Sequence, residues 1–179
     1  MVKQQETVNY SVLKNVEFPS DIRKLNIAQL NTLAQEIREL IINTVAFSGG
    51  HLASSLGTVE LTLALHYVFN TPQDKIIWDV GHQTYAHKII TGRKGKLATL
   101  RRQNGIGGFP RREESPYDVF NVGHSGTSIS AASGFTEAGS LKGDSNKIIA
   151  VIGDGSMTTG MAFEGLNWTG DREKNMIIV

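Results

Sequence analysis

The sequence predicts an α/β fold in which a mostly parallel sheet is flanked by helices. Two short apolar segments, residues 75–80 and 148–152, each lead into a glycine, and a third apolar segment covers residues 176–179. Segments with helical spacing of their apolar residues separate the three. Strands that alternate with helical segments indicate a parallel sheet, because a parallel partner is reached only through a crossover connection.

The first part of the sequence is predicted to be helical. Residues 1–25 are polar and irregular, with a helix-start signal at residues 19–21, and we assign them to an N-terminal extension. From Asn26, apolar residues recur at three- and four-residue spacing as far as the glycines at 49–50, which predicts an amphipathic helix. Residues 58–69 are apolar on nearly all sides, which predicts a buried helix and makes an oligomer plausible.

The second part is predicted to alternate strands, helices and one long loop. The strand at residues 75–80 is followed by a short helix at 83–90. Residues 91–120 are rich in glycine and proline, which predicts a long loop around one helical turn at 97–101, and loops of this length are often functional. The remaining predicted elements are a short strand at 119–122, a helix rich in small residues at 126–141, the strand at 148–152, a helix at 160–169 and the strand at 176–179.

The domain organisation and the broad class of protein follow from these elements and from the composition. We assign residues 26–179 to one domain, and we expect it to be incomplete at its C-terminus because the last strand has no loop at its carboxyl end. The net charge is +1 from 18 basic and 17 acidic residues, which gives no indication of a nucleic-acid or membrane partner. The sequence contains no cysteine, which excludes disulfides and thiolate chemistry. Without an apolar segment that resembles a signal peptide or membrane span, we expect a soluble, cytoplasmic protein.

The first candidate site is the sequence Gly153-Asp154-Gly155, which directly follows a predicted strand. Glycines without side chains let a phosphate approach the backbone, and the start of the following helix favours anions. Asp154 would then be a magnesium ligand, because Mg²⁺ takes one or two carboxylates together with phosphate oxygens. The alternative is an ordinary Asp-Gly turn after a strand.

The second candidate site is a group of three histidines that each follow a glycine: His51, His82 and His124. Two of them come directly after predicted strands, so they should lie near Asp154 at the carboxyl edge of the sheet. Such a cluster can bind an anionic substrate and move protons near neutral pH. The alternative is three turn histidines with local hydrogen bonds. His66 is predicted to be a satisfied core residue. His87 follows His82 by five positions, which is the wrong spacing for two zinc ligands on one helical face.

Other anion-binding patterns are absent or weak. The sequence has no P-loop lysine after a glycine loop, and the spacing of Gly153, Gly155 and Gly160 is not that of a dinucleotide site. Arginines at positions 101, 102, 111 and 112 could bind phosphate, but such residues more often form a solvated face. They are therefore left out of the predicted site.

Four separated motifs extend the two candidate sites. In chain order, they are Ser48-Gly-Gly-His51-Leu-Ala-Ser-Ser-Leu-Gly57-Thr-Val-Glu60-Leu, Ile77-Trp-Asp-Val-Gly-His82-Gln-Thr-Tyr-Ala-His87-Lys, Gly123-His124-Ser125-Gly126-Thr127-Ser128-Ile129-Ser130 and Gly153-Asp-Gly-Ser-Met-Thr-Thr-Gly-Met-Ala-Phe-Glu164. These motifs resemble those of the transketolase-like thiamine diphosphate enzymes, and most closely the 1-deoxy-D-xylulose-5-phosphate synthase family. The resemblance runs from about residue 18 to residue 179.

The resemblance implies a cofactor, substrates and residue roles. It implies thiamine diphosphate with Mg²⁺, a homodimer, and the condensation of pyruvate with D-glyceraldehyde 3-phosphate to 1-deoxy-D-xylulose 5-phosphate and carbon dioxide. That product feeds isoprenoid, thiamine and pyridoxal synthesis. By resemblance, Asp154 coordinates the metal and His51 faces the reacting centre of the cofactor. The residues implied to contact the cofactor are His82, Gly123, His124, Ser125, Gly153, Gly155 and Ser156.

The chain departs from the family pattern in a few places. Gly126 stands where the family usually has serine, and Ser156 and Thr159 stand where alanines are common. The resemblance also implies an asparagine-bearing segment after the strand at 176–179, and a second domain with a catalytic glutamate and phosphate-binding arginines. The isolated chain is therefore expected to bind the cofactor weakly and to turn over little. Two alternatives stay open. The chain could belong to a transketolase-like enzyme that uses another donor substrate, or it could be a non-catalytic fragment.

Overall fold

The computed structural model describes residues 9–179, and every element below lies in that range. The α-helices are α1 (Pro19–Ile22), α2 (Ile27–Ser48), α3 (Leu52–Gly57), α4 (Val59–Val68), α5 (Tyr85–Lys88), α6 (Ser128–Lys142), α7 (Asp154–Met157) and α8 (Gly160–Asp171). The strands are β1 (Lys75–Trp78), β2 (Ile148–Val151) and β3 (Ile177–Ile178). The remaining helical segments are 3₁₀ helices at Leu13–Asn15 and Lys94–Thr99 and a π-helical segment at Ile89–Arg93.

The three strands form one parallel sheet in the order β1-β2-β3, which confirms the predicted α/β class. In the register, Trp78 lies opposite Val151, and Ile149 lies opposite Ile177. Because β1 and β2 end at the same level, the segments that follow them leave the sheet side by side. These segments are the ones that carry His82 and Asp154.

Helices cover both faces of the sheet. On one face, Leu65 from α4 packs on β1 and β2. On the other face, α6 and α8 pack on the strands and on each other. The two helices approach closely at Gly165, where an added Cβ would lie 2.9 Å from the Ser130 hydroxyl oxygen. The absence of a side chain at Gly165 of α8 therefore lets this helix pack closely against Ser130 of α6.

A second core lies among the helices that precede and follow β1. Ile37 and Ile41 of α2 pack with Tyr85 and Ile89 beside the sheet, in a cluster of fully buried side chains. Helix α2 matches the predicted helix and ends at Gly49, whose φ of 68° few other residues adopt. Residues 10–22 also enter this core, through buried side chains such as Leu13, Val16 and Ile22. The boundary at residue 25 stays a prediction, and residues 1–8 of the proposed extension lie outside the described range.

Two sequence-based expectations about secondary structure and burial are wrong. Residues 119–122 are irregular rather than a strand, because they do not pair with β1, β2 or β3, which form the sheet in the described part of the chain. The Asn121 side chain instead accepts a hydrogen bond from the Arg112 backbone N–H at 2.8 Å. Helix α4 is not buried all round, since Val68 is 70% exposed and Tyr67 is 38% exposed. Its inner face packs on the sheet and on α2, and its outer face has no neighbour within residues 9–179.

None of the helices in the described part of the chain combines the length and apolar content needed to cross a bilayer.

Candidate functional site

The three glycine-histidine pairs come together in space. His51 precedes α3, His82 follows β1 and His124 lies in the irregular segment before α6. The ring centroids of His51 and His82 are 5.5 Å apart, and those of His82 and His124 are 6.1 Å apart. The three histidines thus meet beyond the carboxyl end of β1, although only His82 follows a strand and residues 119–122 before His124 are irregular.

Phe109 completes this cluster, although sequence reasoning did not select it. Its ring centroid lies 5.6 Å from that of His51 and 5.8 Å from that of His124. Each of the four rings therefore lies near two of the others. We call His51, His82, Phe109 and His124 the ring cluster. Phe109 belongs to the long loop at residues 91–120, for which the length suggested a function. The length of this loop was the feature of the sequence that pointed to Phe109.

The turn after β1 fixes His82 in place. Val80 and Gly81 both have positive φ angles, 57° and 86°, so the chain turns sharply as it leaves the sheet. A Cβ on Gly81 would lie 2.4 Å from Pro110 and 2.6 Å from Val122. The absence of a side chain at Gly81 therefore lets the loops that carry Phe109 and His124 close over His82.

Hydrogen bonds from neighbouring helices hold the backbone of the histidines. The Tyr85 hydroxyl oxygen accepts from the His51 backbone N–H at 3.2 Å. The Ser55 hydroxyl, on α3, donates to the His82 carbonyl oxygen at 3.2 Å. The two histidine-bearing segments are thus tied to α5 and α3, which belong to the packed helical region.

The electrostatic environment keeps two of the histidines neutral. Burial lowers the pKa of His51, and electrostatic interactions with Arg101 and His124 lower it further. Burial also lowers the pKa of His82, with smaller contributions from His51 and His124. Both imidazoles are therefore uncharged at neutral pH and have one nitrogen that donates and one that accepts. Arg101 is exposed but electrostatically linked to His51, although sequence reasoning left it out.

Asp79 is a further residue that sequence reasoning missed. It is 1% exposed, and its Oδ2 accepts from the Ser128 backbone N–H at 2.9 Å. This bond joins the end of β1 to the start of α6, directly after the His124 segment. The signal available in the sequence was an acidic residue within the apolar segment of the predicted strand at residues 75–80.

The glycines around Asp154 line open space. A Cβ added at Gly123, Gly153 or Gly155 would meet no other atom within 4 Å. Asp154 is exposed and begins α7 at the carboxyl end of β2. Ser125 lies beside Gly123 and Ser156 lies beside Gly155, so hydroxyl groups flank the same space. The two segments touch at Gly126, where an added Cβ would lie only 2.1 Å from the Thr159 hydroxyl oxygen.

The chemistry of these residues fits a diphosphate with a magnesium ion. Among residues 9–179 no group of three ligating side chains is assembled, so Asp154 is a single carboxylate. One carboxylate suits Mg²⁺, which fills its other positions with phosphate oxygens and water. In the same part of the chain, Nδ1 of His51 and Nδ1 of His82 are buried without a hydrogen-bond partner. Such atoms are costly to leave unpaired, so they are suited to a bound polar molecule.

A parallel α/β sheet with a ring cluster and a glycine-flanked carboxylate at its carboxyl edge has the features of an α/β domain that binds an anionic ligand at that edge. The comparisons with known proteins make this more specific. Residues 13–179 match the family described as 1-deoxy-D-xylulose-5-phosphate synthase, and the chain belongs to that family.

Similar proteins named 1-deoxy-D-xylulose-5-phosphate synthase come from several bacteria. That of Syntrophus aciditrophicus is 66% identical over 94% of this chain and 26% of its own length. Those of Syntrophotalea carbinolica and Desulfotalea psychrophila are each 60% identical, over 94% and 100% of this chain and over 27% and 28% of their own lengths. The chain thus spans about a quarter of the length of the curated relatives it matches.

Proposed function

We propose that this chain supplies the diphosphate- and magnesium-binding part of a 1-deoxy-D-xylulose-5-phosphate synthase, a transferase of the transketolase type. The reaction condenses pyruvate with D-glyceraldehyde 3-phosphate, releases carbon dioxide and begins the non-mevalonate route to isoprenoids. The observation that carries the proposal is the meeting of the ring cluster and the open glycine segments at one sheet edge, in a chain of this family. A homodimer in the cytoplasm is part of the same proposal.

Asp154 and the glycines are proposed to bind the charged end of the cofactor. Asp154 would hold Mg²⁺ against the diphosphate, and Gly123, Gly153 and Gly155 leave the space in which phosphate oxygens can reach the backbone. The hydroxyl groups of Ser125 and Ser156 can donate to the same oxygens. These contacts orient the cofactor and add no proton chemistry of their own.

The histidines are proposed to act at the reacting end. Thiamine diphosphate, when bound, supplies the electron sink for the loss of carbon dioxide from pyruvate. Neutral His51 can donate a hydrogen bond to an oxygen that gains negative charge, which stabilises that charge without transfer of the imidazole proton. His82 and His124 hold the cofactor, and Phe109 shields His51 and His124 from water on one side. A shielded site strengthens such hydrogen bonds, because the local dielectric constant is low.

The test is cofactor binding by an Asp154→Asn variant. Loss of a charge-assisted contact is worth about 1.5–3 kcal/mol, so the Mg²⁺-dependent affinity for thiamine diphosphate should fall by about tenfold or more in calorimetric titration. Asp171→Asn is the matched control, because Asp171 is an exposed carboxylate at the far end of α8. Equal affinities for the two variants, or binding that is indifferent to Mg²⁺, would contradict the proposal.

A further inference from the structure

A chain of buried polar side chains lies beneath the site and has no part in the function proposed above. The Thr71 hydroxyl oxygen is 2.8 Å from Nδ1 of His66, Nε2 of His66 is 2.9 Å from Nδ1 of His87, and Nε2 of His87 is 2.9 Å from Oδ1 of Asp118. All four residues are buried, and both histidines are 0% exposed. The prediction that His66 is a satisfied core residue is confirmed.

The hydrogen bonds in this chain can run in only one direction. Burial raises the pKa of Asp118, but the hydrogen bonds from His87 and Arg93 outweigh it and hold that pKa well below its ordinary value. An ionised carboxylate only accepts, so Nε2 of His87 donates to it. Burial keeps both histidines neutral, as their lowered pKa values indicate. Nδ1 of His87 therefore accepts from His66, and Nδ1 of His66 accepts from Thr71.

Asp118 at the end of this chain and the neighbouring carboxylate of Glu114 hold the loop that carries Phe109. Oδ2 of Asp118 accepts from the Arg111 backbone N–H at 2.8 Å, and Oε1 of Glu114 accepts from the Gly107 backbone N–H at 2.7 Å. The loop of residues 107–111 is thus bonded at both ends, and Phe109 stands at its centre.

The same carboxylates are anchored to the segment that follows β1. Arg93 donates to both oxygens of Asp118, at 2.5 and 2.9 Å, and Lys88 donates to Oε2 of Glu114 at 2.6 Å. The side chain of Lys88 is 0% exposed and that of Arg93 is 4% exposed. Buried, paired charges have little freedom to move, because breaking one pair leaves the partner charge unpaired in a low-dielectric interior.

We propose that Asp118 and Glu114 are positioning residues that fix Phe109 in the ring cluster through the loop of residues 107–111. The inference deepens the proposed function, since it gives the site its fourth ring. The loop has no strand or helix of its own within the described structure, so its position depends on these side-chain contacts to its backbone N–H groups. Neither carboxylate touches the ring cluster, and both act through the backbone of the loop.

The experiment is histidine-ring NMR on the full 179-residue chain, without cofactor. The Phe109 ring shifts the carbon-bound proton resonances of His51 and His124, and Phe109→Leu defines the spectrum without that effect. In Asp118→Asn, the amide keeps the size of the side chain but presents –NH₂ in place of one acceptor oxygen. We expect the resonances of both histidines to move most of the way towards those of Phe109→Leu.

Thr71→Val is the matched control. It breaks the same polar chain at the end remote from the loop and leaves a buried nitrogen of His66 unpaired, so it should lower stability without moving the two histidine resonances. If Asp118→Asn does not fold, the same NMR measurement is made on Glu114→Gln. Glu114 is partly exposed, so removal of its charge should lower the stability less. Resonances of His51 and His124 that stay in place in the folded variant overturn the proposal, and so does an equal displacement in Thr71→Val. The readout needs no cofactor, so its result is independent of the Asp154→Asn titration.

Discussion

Gly126→Ala is expected to destabilise the chain more than an ordinary substitution of glycine, because two costs act at this position. The φ angle of Gly126 is 64°, and a residue with a side chain in that left-handed region costs about 1–2 kcal/mol. In addition, the new Cβ would lie 2.1 Å from the Thr159 hydroxyl oxygen and 3.0 Å from its Cβ. The serine that is usual at this position in the family would bring the same Cβ.

The second cost can be worked from the contacts of Thr159. Its hydroxyl group donates to the Ser156 carbonyl oxygen at 2.9 Å and accepts from the Ala162 backbone N–H at 3.3 Å, where it caps α8. If the Thr159 side chain rotates away from the new Cβ, it loses these two hydrogen bonds. If it stays in place, its contact with the Cβ is too short. Either case lowers the stability by about 1–3 kcal/mol. The total for Gly126→Ala is therefore about 2–5 kcal/mol, summed from the two costs.

The assay is urea unfolding of the chain, followed by tryptophan fluorescence. Gly143→Ala isolates the first cost, since Gly143 has a φ of 74° but an added Cβ there would meet no other atom within 4 Å. We expect Gly143→Ala to cost about 1–2 kcal/mol. Thr159→Ala alone should cost about 1 kcal/mol through the lost cap. The double variant Gly126→Ala/Thr159→Ala should be more stable than the sum of the single effects by about 1–3 kcal/mol. Additive effects, or equal costs for Gly126→Ala and Gly143→Ala, would refute the reasoning.

Two further predictions concern the histidines and their supports. Tyr85→Phe removes the acceptor for the His51 backbone N–H, so amide exchange at His51 should become faster and stability should fall by about 0.5–1.5 kcal/mol; unchanged exchange would show that this bond does not hold His51. His66 and His87 have lowered pKa values in the folded chain because they are buried, so their contribution to stability is complete above the unfolded value of about 6.5 and is lost as the pH falls below it. The free energy of unfolding from urea titrations should be lower at about pH 5.5 than at about pH 7.5, and His66→Gln should make this difference smaller. The same difference in His66→Gln as in the unchanged chain would rule out His66 as its source.

The sheet and its edge could be predicted because their signals are local. The segments at β1 and β2 are apolar and end at glycines, so the places of His82 and Asp154 follow from the strand pattern itself. The ring cluster could be predicted from the sequence only in part. His51, His82 and His124 share the glycine-histidine pattern, whereas Phe109 lies in a loop without periodicity and reaches the cluster through tertiary contacts.

The buried polar chain could not be predicted for the same reason. His87 and Asp118 are 31 positions apart, and their pairing depends on how the long loop folds back on α5. The incorrect strand prediction at residues 119–122 arose from this loop too, because its apolar composition suggested a strand, whereas the segment does not pair with β1, β2 or β3. Interactions between an irregular loop and a helix leave no repeating pattern in a sequence.

The ring cluster is built from four segments that share no helix or strand, and this has a consequence for how the chain folds. His82 reaches its neighbours only once β1 has paired with β2, a contact between Lys75 and Ile148 that closes a long stretch of the chain into one loop. Such distant pairing is slow compared with helix formation. The helices can therefore exist before the site does, and binding competence should appear in the last kinetic phase of refolding rather than with the first helical signal.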